Sequence, residues 1–78
     1  MQTHVLSSLA DYTLDFLTLL FKQYKKGNID IHCFSSHAAV KINFLKDVLD
    51  YFEDAKRKEE AAEVILKCEQ VFSSHPFQ

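Results

Sequence analysis

Residues 5–24, VLSSLADYTLDFLTLLFKQY, place apolar side chains on far more of one helix than a single packing partner needs. With successive residues about 100° apart, Val5, Leu9, Phe16 and Leu20 form one apolar stripe, widened by Tyr12 and Leu19. Leu6, Leu14, Leu17, Phe21 and Tyr24 form a second, adjacent stripe. The polar side is made by Ser7, Ser8, Asp11, Asp15, Thr18, Lys22, Lys25 and Lys26, and covers an arc of only about 100°. A surface helix of a monomer usually carries an apolar stripe a little over ~100° wide. Here the apolar arc is about twice that, which implies two partners: the rest of this chain and something else.

The remainder of the chain is helical for a compositional reason. Of its 78 residues 47% are hydrophobic and 13% aromatic, with one Gly and one Pro. That much apolar content folds, and so few turn formers cannot supply the hairpins of an all-β protein. Residues 1–78 read as one small domain. A domain of this size buries only about 60% of its unfolded surface and commonly needs a disulfide, a metal or association as reinforcement. The net charge of −2 provides no basic field, so no nucleic-acid partner is expected. Cys33 and Cys68 can pair at most once, thin for a secreted disulfide scaffold. Met1-Gln2-Thr3-His4 lacks the features of a signal peptide. The apolar stretch Leu14–Phe21 is interrupted by Asp15 and Thr18 and is far shorter than the about 20 residues of a membrane span. A cytoplasmic protein with reduced thiols is the expectation.

Helix 1 is expected over about 4–26, capped by Thr3 or Ser7 and ended by Lys25-Lys26-Gly27-Asn28, with Gly27 where a left-handed residue closes a helix. Residues 27–35 read as a connector. Its Ile29/Ile31/Cys33 alternation has no second strand to pair with, so Ile29, Ile31 and Phe34 are assigned as a lid on one end of the bundle. Helix 2 is expected over about 36–54 from a Ser35 or Ser36 cap, with Ala38, Ile42, Leu45, Val48, Leu49 and Phe52 on one face and Asn43, Asp47, Asp50 and Asp54 on the other. Helix 3 is expected over about 58–73 and carries Ala61, Val64, Ile65, Cys68, Val71 and Phe72. On one straight helix that stripe lies roughly 160–180° from the stripe of helix 2. Either the chain breaks near 54–60 and folds back, or one long helix offers opposite faces to different partners. Closing a core favours the break. The tail, 74–78, is expected to fray. The fold class is therefore all-α: a small three-helix bundle, or a helical hairpin with a long second arm, expected to dimerise. Leu9, Phe16, Leu20, Leu45, Leu49, Phe52, Ile65 and Phe72 are expected in the interior, within one protomer or across a subunit contact.

Residues 51–76 resemble a tetratricopeptide unit in outline, a helical pair followed by Pro76, with Ala62, Val64 and Cys68 in small or apolar slots. The Trp, the Leu-Gly pair and the repeat partner of that family are missing, and such arrays need about three units. The resemblance carries no functional reading.

Candidates for chemistry are few. Cys33 and His37, with Cys68 and with His32 and His75 nearby in type, form the one grouping of metal-ligand residues, at spacings that match no standard zinc module. Cys68 alternatively fills the helix 3 stripe as a small hydrophobe. No residue set supplies a nucleophile with a base and an orienting carboxylate, so no catalytic, cofactor or metal residue is assigned. Asp47, Asp50 and Asp54 read as a solvated face. Lys56-Arg57-Lys58 read as partners of Glu53, Asp54 and Glu60 in i,i+4 pairs. The excess apolar arc of helix 1 remains. If helix 3 packs on helix 2, the Leu14/Leu17/Phe21 sector stays open, and Leu14, Leu17, Phe21 and Tyr24 become the partner-binding residues, first of a homodimer and then of another protein. The expected function is a non-enzymatic protein–protein interaction or regulatory module. The alternatives are a metal-binding module using Cys33, His37 and Cys68, and a small DNA-binding regulator.

Overall fold

The computed structural model describes residues 3–75. Within them the chain forms three α-helices and no strand: α1 (Thr3–Lys25), α2 (Ile31–Asp47) and α3 (Ala55–Ser74), with a single 3-10 turn at Leu49–Tyr51. Each helix packs on both others, so the three-helix bundle is realised and the long single arm is not. The Pro76–Gln78 part of the expected tail lies outside the described residues, while Ser74 still belongs to α3.

The end of α1 follows from Gly27. Its φ of +82° is a left-handed conformation that costs glycine nothing. The Gly27 amide donates to the Tyr24 carbonyl and the Asn28 amide to the Gln23 carbonyl, both at 3.0 Å. This is a Schellman motif, and it satisfies two carbonyls that a helix end otherwise leaves open. α2 then begins at Ile31, five to six residues earlier than the Ser35/Ser36 caps predict. Asp30 is the cap: its side chain accepts from the Cys33 amide at 2.8 Å. Residues 31–35 are thus the first turns of a helix rather than a connector. Ile31, Phe34, Ala38, Ile42 and Leu45 continue one stripe at three- and four-residue steps, a period that overrides the short apparent alternation. Ser36 sits inside α2 and donates to the Cys33 carbonyl. Ser7, the other proposed cap, is buried within α1.

The predicted break occurs, but at 48–54 instead of 54–60. Val48 closes α2 through its amide to the Phe44 carbonyl. Phe52 then adopts an extended conformation, φ −67° and ψ 126°, and is buried. Asp54 caps α3 by accepting from the Lys56 amide at 2.8 Å. Two aspartates therefore do the punctuating that Gly, Pro or Asn would signal more openly. Residues 56–60 are the first turns of α3.

Phe34 is the largest fully buried side chain. Its ring lies 4.9 Å from that of Tyr24 on α1 and 5.7 Å from that of Phe72 on α3, both tilted. One residue thus joins all three helices at one end of the bundle. At the opposite end Ser7 donates to Glu53 at 3.4 Å. Arg57 there reaches from α3 to the Asp11 and Asp15 carboxylates at 3.3 and 2.7 Å, and to the Asp11 carbonyl. The i,i+4 pairing expected of Arg57 with Glu53 and of Lys58 with Asp54 gives way to these tertiary contacts and to Lys58–Asp50 at 2.9 Å. Of the expected interior, Leu45, Phe52 and Ile65 are buried, while Phe16, Leu20, Leu49 and Phe72 are half-buried. Leu9 is exposed.

Phe34→Ala should lower stability by about 3–5 kcal/mol in urea denaturation, the usual range for a fully buried Phe. Asp30→Ala should cost about 1 kcal/mol through loss of the cap alone. Equal effects of the two would contradict this assignment of core and cap.

Candidate functional site: the outward face of helix α1

The structure reverses the two sectors of α1. Leu14 and Leu17, expected at a partner surface, are 1% and 0% exposed and belong to the protomer's own core. Phe21 and Tyr24 are half-buried, pack against that core, and line a cleft of about 240 Å³ between α1 and the end of α3. Tyr24 also has its hydroxyl 3.1 Å from His75 Nε2. The physical reason lies in the small residues of this sector. Ser7, Ala10 and Thr13 are all buried beside Leu14 and Leu17, and short side chains allow neighbouring helices to approach. Thr13 meets its own hydrogen-bonding need by donating to the Leu9 carbonyl at 2.7 Å. The Arg57 tether to Asp11 and Asp15 then fixes which way α1 faces. The arginine is held even more firmly protonated than usual, chiefly by its hydrogen bond to Asp15 and then by Asp11, against the opposing effect of burial.

What stays open is part of the first stripe, since Leu20 packs against the core. Val5, Leu9, Tyr12 and Leu19 are 42%, 41%, 68% and 54% exposed, and half-buried Phe16 lies among them with the Lys41 ammonium 5.3 Å from its ring centroid. These five residues follow one another at steps of four, three, four and three. That is the a/d spacing of a coiled-coil seam. The inner row Ala10, Leu14, Leu17, Phe21 and Tyr24 follows the same steps, so burial and not spacing separates the two. Exposed Val40 on α2 and Leu66 on α3 show no such spacing, and isolated exposed apolar residues are ordinary.

The candidate zinc residues do not assemble. Cys68 is buried in the core, Cys33 is half-buried at the start of α2 and His37 is exposed. Among the described residues no group of three or more His, Cys, Asp or Glu is placed to hold a metal ion. Among the same residues no helix is long and apolar enough to cross a membrane. Burial, aided by the neighbouring Glu69 charge, pushes the Cys68 thiol from 9.0 up to about 11. It is a packed, neutral side chain.

Between pH 9 and pH 11 the folded chain keeps the Cys68 proton while the unfolded chain has lost it. The stability that this proton carries is complete below pH 9 and disappears as pH rises through about 11, at about 1.4 kcal/mol per pH unit. Denaturant titrations across that window should show a steeper loss for wild type than for Cys68→Ala. Parallel curves would mean the thiol is accessible to solvent.

No protein-family model matches this chain, and no characterised protein or solved structure matches it at a significant level.

Proposed function

We propose that this protein is a non-enzymatic protein–protein interaction or regulatory module of the cytoplasm, and that it works through the outward face of α1. The observation that supports this reading is the coiled-coil spacing of Val5, Leu9, Tyr12, Phe16 and Leu19 on a face that the monomer covers only in part, with Tyr12 and Leu19 more than half exposed. Keeping a regular row of large apolar side chains in water costs about 25 cal/mol per Å² relative to burying them. Contiguous exposed apolar patches mark contact sites, whereas singly scattered residues do not. Tyr12, the most exposed of the row, is of a type that commonly dominates binding energy. The mode is helix against helix, read through anchors at three- and four-residue steps. Homodimerisation is one form of this contact, now assigned to the outer stripe in place of Leu14, Leu17, Phe21 and Tyr24.

Affinity capture from the native cell with wild type, Leu9→Lys/Leu19→Lys and Val40→Lys as baits tests the reading. The seam variant should lose the specific companions of the wild type, and Val40→Lys should keep them. Because Leu9 and Leu19 face solvent, the double variant should fold with stability within about 1 kcal/mol of wild type. A seam variant that retains every companion would end the proposal.

A further inference from the structure

We propose that the cleft between the C-terminal ends of α1 and α3 binds a small organic acid, a carboxylate on an apolar body about one ring in size. The site is separate from the outward face of α1, since Phe21 and Tyr24 belong to the inner stripe. Arg57 near the start of α3 meets Asp11 and Asp15, and His75 after its end meets Tyr24. α1 and α3 therefore run in the same direction and finish side by side. The space left between them is about 240 Å³. That lies just below the about 300–1,000 Å³ of sites for drug-sized ligands, which limits the occupant to a small molecule. Phe21 and Val71 supply apolar lining, and Lys25, Lys67 and His75 supply basic lining. Among the described residues no aspartate or glutamate lines the cleft.

Lysines near a helix C-terminus ordinarily answer the partial negative charge of its carbonyls. Here hydrogen bonds already meet much of that need. The Lys22, Gln23 and Tyr24 carbonyls accept from the Lys26, Asn28 and Gly27 amides. The Gln70 carbonyl accepts from the Ser74 hydroxyl and the Phe72 carbonyl from the His75 amide. Positive charge is also concentrated here: Lys22 and Lys26 flank Lys25, with no acidic residue between positions 22 and 29, in a chain of net charge −2. The Lys25 ammonium lies 5.8 Å from the Phe21 ring centroid, so cation and apolar surface adjoin. Lys67 pairs with Glu63 at 3.2 Å, but both side chains are at least half exposed. Such a pair is worth little in water, and a carboxylate in the cleft can compete for that ammonium. Tyr24 and His75 together keep a hydrogen to donate in either arrangement. If the phenol donates to Nε2, the neutral imidazole carries its proton on Nδ1; if Nε2 donates, the phenol proton remains to give. An ionised acid gains charge-assisted hydrogen bonds from this set, and its apolar body covers Phe21 and Val71. Inorganic phosphate would meet only the charge, and a neutral ring only the apolar lining.

Amide chemical-shift titration of the full chain with benzoate, benzamide and inorganic phosphate tests this. Benzoate has about nine non-hydrogen atoms, which at ordinary ligand efficiency gives affinity in the millimolar range. It should approach saturation by about 20 mM, with shifts concentrated in residues 21–25 and 67–75. Benzamide and phosphate should each bind at least about fivefold more weakly. Lys25→Gln/Lys67→Gln should weaken benzoate binding at least about fivefold. Lys22→Gln/Lys26→Gln removes the same charge outside the cleft and should leave binding within about twofold. All four lysines are exposed, so both double variants should keep the wild-type circular dichroism spectrum. Equal losses in the two variants would mean attraction by net charge alone and would overturn the site. Benzamide binding as well as benzoate overturns the anionic requirement, and phosphate binding as well overturns the apolar one. Shifts centred elsewhere, or none at about 20 mM, overturn the cleft itself and leave the outward face of α1 to its own test.

Discussion

The Phe34 ring, held between Tyr24 and Phe72, is the contact through which this small bundle becomes one body. It lies on the first turn of α2, so it exists as a core residue only because Asp30 starts that helix where it does. Shorten α2 to a Ser35 cap and Phe34 would be on a loop, and the Tyr24 and Phe72 rings would lose the ring held between them. A chain of 78 residues has little spare apolar burial, and a single ring touching three helices concentrates much of what there is.

The opposite end is held by charge. Arg57 reaches two carboxylates on α1 and one of its main-chain oxygens, a geometry that a guanidinium fork can meet and an ammonium cannot. Such a partly exposed cluster contributes modestly to stability, but it has a directional effect. With Asp11 and Asp15 committed to α3, the rotation of α1 is determined, and its Ser7/Ala10/Thr13 side turns inward. The outer row of Val5, Leu9, Tyr12 and Leu19 is left facing water as a consequence. Apolar packing at one end and an ionic tether at the other thus together decide which face the protein offers.

That face also explains the surplus hydrophobicity of α1. The helix is long for its bundle, about 34 Å at 1.5 Å per residue in a molecule 37 Å along its longest axis. Its inner side meets α2 and α3, and among the described residues Val5, Leu9, Tyr12 and Leu19 of the outer side stay exposed. The Cys68 thiol is buried and neutral, and among the described residues no group of three or more His, Cys, Asp or Glu is placed to hold a metal ion.

The helical class, Gly27 as the end of α1, the fold-back of the last helix and the doubled apolar arc are all legible in the residues alone. Each depends on local backbone chemistry or on a period that repeats several times. The starts of α2 and α3 were harder to read because Asp30 and Asp54 act as caps, whereas aspartate in a short polar stretch signals solvation equally well. The two stripes of α1 were likewise legible, as was the four-three spacing of the outer one. Which stripe faces inward was a tertiary matter. Both are rich in leucine and both fit a helix partner. The choice was made by close packing over Ser7, Ala10 and Thr13 and by the reach of Arg57 from 42 to 46 residues away along the chain, and a periodicity carries no record of such contacts.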